Sequence, residues 1–226
     1  MKQLDFINKV FHADARTLLR ALPTPSIDLV LADPMFGVSK NPKPRATYDW
    51  GVDPAGGNAD KWWEYHGPIY EQCRRVLKPG GTLAWAMGFK FHERFAEWFG
   101  GYRIWALSRF KRQGINSSGH IWVVQTAEQT PIRYPDKDGL IEMDTKPALR
   151  KCHPCPKAVS EMVWMVEALT RPGQIVFDPF CGTGSTLVAA GLLKRKFLGC
   201  DLSERYCRVA IKRLKDLKLL NGDVTK

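Results

Sequence analysis

The sequence predicts an α/β fold, doubly wound, with one mostly parallel sheet and helices on both faces. Three observations predict it. First, residues 174–186, QIVFDPFCGTGST, run from an apolar strand (Ile175-Val176-Phe177) through Asp178-Pro179 and a turn carrying Gly182 and Gly184, then into the helix-forming Leu187-Val188-Ala189-Ala190. That is the opening half of a nucleotide-binding βαβ unit. Second, residues 195–201, RKFLGCD, supply another strand that ends in an acid, and Asp201 follows Asp178 by 23 residues. This is close to the offset at which a carboxylate accepts ribose hydroxyls. Third, four strand-like runs each deliver an aspartate at their carboxyl end: Asp14, Asp33, Asp178 and Asp201. In open α/β sheets ligands gather beyond that rim.

Each element has its own signals. Val10–Ala13 reads as a strand running into Asp14, and the helix after it, Ala15 to Leu22, is closed by Pro23 and Pro25. Ile27–Ala32 is an apolar strand that presents Asp33-Pro34-Met35-Phe36-Gly37. Residues 38–60 are rich in Pro, Gly and polar side chains, with Lys40, Lys43 and Arg45 at the front, and long loops in compact domains are usually functional or disordered. A helix from about Trp62 stops at Lys78-Pro79-Gly80-Gly81, and Thr82–Met87 is a buried strand. A helix near Phe91–Phe99 and a strand near Arg103–Phe110 follow.

From 111 to 150 the pattern degrades, with Ile121–Val124 its one apolar run; the segment is expected to be a small insertion on the main sheet. Arg109, Lys111 and Arg112 beside it have the character of a phosphate-contacting loop, and a solvated strand edge explains them equally well. Periodicity returns at Val159, Met162, Val163, Val166 and Leu169, which share one helical face. The last helix, 203–219, has Ser203 as its expected N-cap, Cys207, Ala210, Ile211, Leu214 and Leu217 inward, and a Lys/Arg-rich face expected in solvent.

Composition narrows the function classes. The 226 residues suit one domain, 1–226, with a substantial core. No apolar run is long enough to span a bilayer and the start is unlike a secretory signal, so no membrane partner and a cytoplasmic location are expected. Six scattered cysteines suit reduced thiols. Cys152-x-x-Cys155 with His153 has no second pair at ligand spacing, so no metal is expected. A net charge of +11 with eight tryptophans favours a polyanionic partner such as nucleic acid. Leu187 stands where a dinucleotide fingerprint needs its third glycine, so the loop suits a smaller, adenosine-type ligand better than a pyrophosphate.

Asp33-Pro34-Met35-Phe36 resembles the D-P-P-Y motif of amino-group DNA methyltransferases, and residues 177–184, FDPFCGTG, resemble that family's S-adenosylmethionine motif. The catalytic motif precedes the cofactor motif here, an order that resembles the permuted β class of these enzymes. Phe11-His12-Ala13-Asp14, Arg75-Val76-Leu77-Lys78-Pro79-Gly80-Gly81, His153-Pro154-Cys155-Pro156-Lys157-Ala158 and Gly199–Tyr206 are similar to further family segments. The resemblance implies a Rossmann-like methyltransferase fold and S-adenosylmethionine as cofactor. It also implies cofactor contacts from Asp14, His153, Lys157, Asp178, Phe180, Cys181, Gly182, Thr183, Gly184, Ser185 and Asp201.

An exocyclic base amine is a poor nucleophile, because its lone pair is delocalised into the ring. The Asp33 carboxylate and Pro34 carbonyl can accept its two protons and turn the lone pair toward a sulfonium methyl, while Phe36 stacks the flipped base. Met35 departs from the family's proline at that position and is the looser residue. The resemblance implies methylation of double-stranded DNA, at adenine N6 ahead of cytosine N4, because it associates Asp at the position of Asp33 with adenine and Ser with cytosine. Lys40, Arg45, Arg109, Lys111 and Arg112 are the expected nucleic-acid contacts. The insertion is small for target recognition, so a homodimer sharing the site is a further expectation, and a restriction–modification system is one setting. Three rivals are the same fold acting on RNA or a protein glutamine, a cofactor-binding DNA module without catalysis, and a dehydrogenase.

Overall fold

The computed structural model describes residues 3–35, 58–99, 103–112, 115–126, 140–143, 152–153 and 156–220. Eight strands form one sheet: β1 (Lys9–His12), β2 (Ile27–Ala32), β3 (Leu77–Met87), β4 (Arg103–Arg112), β5 (Ile115–Thr126), β6 (Leu140–Met143), β7 (Ile175–Asp178) and β8 (Lys196–Asp201). Their order across the sheet is β1-β8-β7-β2-β3-β5-β4-β6. Every pairing among them is parallel except those of β5, which runs against both β3 and β4.

Alternation of side chains sends each strand into two cores. Val30 and Ala32 of β2 join Phe177 of β7 and Leu198 of β8 on one face, while Leu29 and Leu31 join Val176 and Phe197 on the other. A strand buried on both faces must be apolar at nearly every position, and β2 is so from Leu29 onward. The first face is covered by α1 (Ala15–Ala21), α2 (Ala59–Val76) and α3 (Phe95–Phe99). The second is covered by α4 (Val159–Leu169), α5 (Ser185–Leu192) and α6 (Glu204–Asp216). Doubly wound is therefore the observed architecture.

One polar residue inside β2 has a definite job. Asp28 accepts Nζ of Lys78 and the backbone N–H of Ile175, each at 2.8 Å, so it ties the starts of β3 and β7 to β2. Side chains also set the helix starts. Asp14 accepts the Arg16 N–H at 2.7 Å, Asn58 accepts Lys61 N–H at 3.0 Å, and Ser203 accepts Tyr206 N–H at 3.1 Å, each supplying an N-cap acceptor.

Residues 115–126 belong to the main sheet: β5 pairs with β3 from Thr82↔Thr126 to Met87↔Ile121, and Trp122, Val123 and Val124 are buried. Local pattern shows only Ile121–Val124 because residues 115–118 pair with β4 alone, from Arg112↔Ile115 to Arg109↔Ser118. Main-chain hydrogen bonds hold that part, and they leave no hydrophobic period to read.

Candidate active site

All four strand-end aspartates line one cleft, which encloses about 1120 Å³ including its open mouth. It lies where β2 meets β7, the point at which the chain's winding reverses across the sheet, and this is where such folds place ligands. Asp14, Asp33, Pro34, Met35, His153, Lys157, Asp178, Phe180, Cys181, Gly182, Thr183, Ser185 and Asp201 all border it.

The glycine turn after β7 is built by local chemistry. Gly182 and Gly184 have φ of +48° and +78°, values that favour glycine. Gly182 donates its N–H to Asp201 Oδ2 at 2.9 Å, and Gly184 donates to Cys181 O at 2.7 Å. Both amides are spent inside the protein, which leaves these two unable to cradle a phosphate. Gly184 does not border the cleft; a Cβ there would sit 2.7 Å from Ala210 Cβ. Its smallness lets α5 approach α6. Arg213 of α6 reaches back to this loop, donating to the Thr183 carbonyl and, at 3.3 Å, to Ser185 Oγ.

The acids differ in their surroundings. Asp201 is 6% exposed and accepts the N–H groups of Gly182 and Ser203, the latter at 2.8 Å. Asp178 accepts Phe180 N–H at 3.0 Å in a turn, and Asp14 caps a helix. Burial pushes the Asp178 carboxyl up to about 7, with the charges of Asp33 and Asp201 acting the same way against the bonds from Thr186 and Phe180. The Arg16 guanidinium, with Nη2 2.5 Å from Oδ2, holds Asp14 below the usual carboxylate range. That same guanidinium lies over the Tyr65 ring, 5.0 Å from its centre.

Asp33 and Pro34 leave the carboxyl end of β2. Lys157 reaches across to Asp33, with Nζ 2.8 Å from Oδ1 and 2.7 Å from Oδ2. The resemblance implies a cofactor contact for Lys157 and gives no hint of this pairing. Trp62 of α2, buried behind the cleft wall, donates its indole N–H to Met35 O at 2.5 Å. One turn on, His66 is 1% exposed, borders the cleft, and has Nδ1 2.9 Å from Trp62 O. A carbonyl only accepts, so Nδ1 carries the proton and Nε2 is an acceptor. Burial pushes His66 down to about 4.

Sequence reasoning missed Trp62, Tyr65, His66 and Arg213. In α2 the only signal was an aromatic run at helical spacing, and in α6 the last-turn cation was grouped with the solvated face. Phe36, Lys40 and Arg45 lie outside the described residues, as does Cys155. Arg109, Lys111 and Arg112 fall in β4, three places from β2 across the sheet. Among the described residues no cluster of metal-ligating side chains is present, and no helix is long and apolar enough to cross a membrane.

A family model described as DNA methylase, of the N6/N4 type, matches residues 103–212. The chain is similar to the N6/N4 DNA methylases along that stretch. It is 24% identical over 255 residues to the type II methyltransferase M.BglII of Bacillus subtilis, covering 90% of this chain and 68% of that one. Its fold is similar to that of the solved PvuII DNA methyltransferase (cytosine-N4-specific), with TM-score 0.69, 16% identity, and 96% and 87% of the two chains covered. It is also similar to the M1.HpyAVI–SAM complex, with TM-score 0.64, 19% identity, and 91% and 98% covered. The chain carries an Asp-Pro pair, Asp33-Pro34, and a glycine turn on one rim of the sheet.

Proposed function

We propose that this DNA methylase transfers the methyl group of S-adenosylmethionine to the N6 amine of adenine in a short sequence of double-stranded DNA. The observation that carries the reading is the meeting of Asp33 and Pro34 with the Lys157, Gly182 and Asp201 cluster in a single cleft.

The cleft suits that cofactor on chemical grounds. The carboxyl groups of the cleft outnumber the cations set on them, Lys157 on Asp33 and Arg16 on Asp14, even with Asp178 keeping its proton up to about 7, a balance that favours a cationic sulfonium over a pyrophosphate. With the two glycine amides already satisfied, the dinucleotide rival loses its phosphate cradle. Asp201 and Asp14 can accept from ribose hydroxyls and an adenine amine, Phe180, Ile69 and Leu202 offer apolar wall, and Lys157 can meet a carboxylate. When bound, the cofactor supplies an electrophilic methyl on sulfur.

The chain's own residues prepare the acceptor. Asp33 and Pro34 accept the two amine protons, which localises the nitrogen lone pair and aims it. A carboxylate has about four lone-pair sites, so Lys157 can stay bound to Asp33 while a site remains for the amine. The target adenine must leave the duplex to reach this depth, with Phe36 stacking it and Lys40, Arg45, Arg109, Lys111 and Arg112 holding the phosphates. Residues 38–60 and the segment beyond β5 would read the sequence, alone or shared across a homodimer. The type II relative makes a restriction–modification setting a fitting one.

Asp33 favours adenine, while the likeness to a cytosine-N4-specific fold keeps N4-cytosine as a second reading. Nucleoside mass spectrometry of DNA incubated with the protein and S-adenosylmethionine decides. N6-methyladenine that disappears with Asp33→Ala supports the proposal, and N4-methylcytosine overturns the choice of base. No methylated base from protein that binds the cofactor overturns the reaction in favour of a binding module.

A further inference from the structure

The Asp33-Pro34-Met35 turn carries a methionine where a second proline would have locked the backbone. Pro34 fixes its own φ through its ring, but the torsions on the far side of its carbonyl have no covalent restraint. That carbonyl is the acceptor whose direction the reaction needs. A wandering acceptor orients the amine in only a fraction of encounters, and small misplacements are costly in rate.

The restraint comes from α2. Trp62 donates its Nε1–H to the Met35 carbonyl at 2.5 Å, and its own ring has nowhere to move. The side chain is 0% exposed. The His66 ring stacks on it at 4.4 Å and 22°, and Trp98 stacks at 5.3 Å and 26°. The backbone N–H of Trp62 is bonded to Asn58 O at 3.1 Å, in a first turn that Asn58 caps. The donor is thus a rigid group on a capped helix, aimed at a carbonyl one peptide beyond the catalytic one. Both Pro34 and Met35 border the cleft.

We propose that Trp62 is a positioning residue whose indole N–H pins the Met35 carbonyl and so holds the Pro34 carbonyl on the acceptor amine, supplying the stiffness that a proline at 35 would give. The inference rests on the methyl-transfer reading above. It assigns the indole N–H a part in the rate, distinct from the part the ring plays in the core.

Trp62→Phe keeps most of the buried ring and deletes the donor. Trp98→Phe trims a ring of the same cluster without touching the turn. Transfer from labelled S-adenosylmethionine to genomic DNA free of N6-methyladenine should show kcat about tenfold lower for Trp62→Phe, with the KM for cofactor within about twofold of wild type. A single lost hydrogen bond of ~1.4 kcal/mol is a factor of ten. Trp98→Phe, which keeps an aromatic ring against Trp62 and leaves its N–H in place, should lower the melting temperature and slow kcat clearly less than Trp62→Phe does. The deciding variant is Trp62→Phe combined with Met35→Pro, in which kcat should recover at least threefold over Trp62→Phe alone.

The proposal is overturned if Trp62→Phe turns over like wild type, if Trp98→Phe slows kcat equally, or if proline at 35 rescues nothing. Should wild-type protein methylate no base, the functional reading fails instead. The clamp then stands or falls on hydrogen exchange of the indole N–H. Slow exchange that persists in Trp98→Phe keeps the bond, and exchange as fast as for an exposed indole removes it.

Discussion

The two ends of the cleft are built by different means. At the β7–β8 end the parts are neighbours in the chain or in adjacent strands: Gly184 bonds Cys181, Asp178 bonds Phe180, Asp201 bonds Ser203, and Gly182 meets Asp201 across one strand pair. At the β2 end the Asp33-Pro34-Met35 turn is held by side chains from far along the sequence, Lys157 at a separation of 124 residues and Trp62 at 27. The first end is a self-assembled cradle and the second is a tethered one. A cradle made from backbone amides tolerates change in its surroundings, whereas a tethered turn depends on every tether.

Asp33→Ala should give the largest effect and define the tethered end. Methyl transfer should fall by about 10²–10³-fold while cofactor binding, measured by calorimetry, persists. Loss of cofactor binding as well would mean the two ends are not separable. Next comes Gly184→Ala in the cradle. The added Cβ meets Ala210 Cβ at 2.7 Å and its backbone at 3.2 Å, at φ +78°, and left-handed strain plus overpacking should remove about 3 kcal/mol from urea-measured stability. An unchanged midpoint would show that α5 and α6 can separate freely.

A milder change in the same cradle is Asp201→Asn. One carboxylate oxygen becomes an NH₂ that must face the N–H of Gly182 or Ser203. Stability should drop by about 1–3 kcal/mol and cofactor binding should weaken, with kcat at saturating cofactor nearly retained. A loss of kcat alone would place Asp201 in the chemistry.

The smallest effect is a cancellation. His66 stays neutral down to about pH 4 in the folded state, so between its unfolded pKa of about 6.5 and 4 the unfolded chain binds the extra proton, and stability falls as pH falls. Asp178 keeps its proton up to about 7. From its unfolded pKa of about 4 up to 7, the folded chain holds the extra proton, and stability falls as pH rises. Between pH 4.5 and 6.5 the two slopes oppose. Wild-type protein should melt at nearly one temperature across that window. His66→Phe should melt lower as pH rises, and Asp178→Asn lower as pH falls. Parallel slopes in the two variants would remove one of the two buried groups from the account.

The same contrast explains what the sequence made legible. The cradle was readable because its bonds are local: an apolar strand, two glycines at φ > 0 and an acid at the next strand's end leave their mark within a short window. The rim of four aspartates followed from strand endings alone. Lys157 on Asp33, Trp62 on Met35, Arg213 on the glycine turn and Asp28 under β7 could not be read that way. Each depends on which strands become neighbours, and hydrophobic period does not encode strand order. The length of β5 was hidden for a related reason, since its outer residues are held by main-chain pairing with β4.

The order of the strands has a consequence for how the molecule comes into being. Among the described residues β1 pairs only with β8, His12 against Asp201, and β2 finds one of its two partners in β7, Val30 against Phe177. Both contacts close loops of well over a hundred residues, so the first strands synthesised wait at the ribosome for nearly the last. Such non-local closure slows folding and leaves apolar edges exposed meanwhile. The aspartates of the cleft converge only at that final step, and a nascent chain ending before β8 would own the Asp33-Pro34-Met35 turn yet lack the wall that Asp201 gives the cleft.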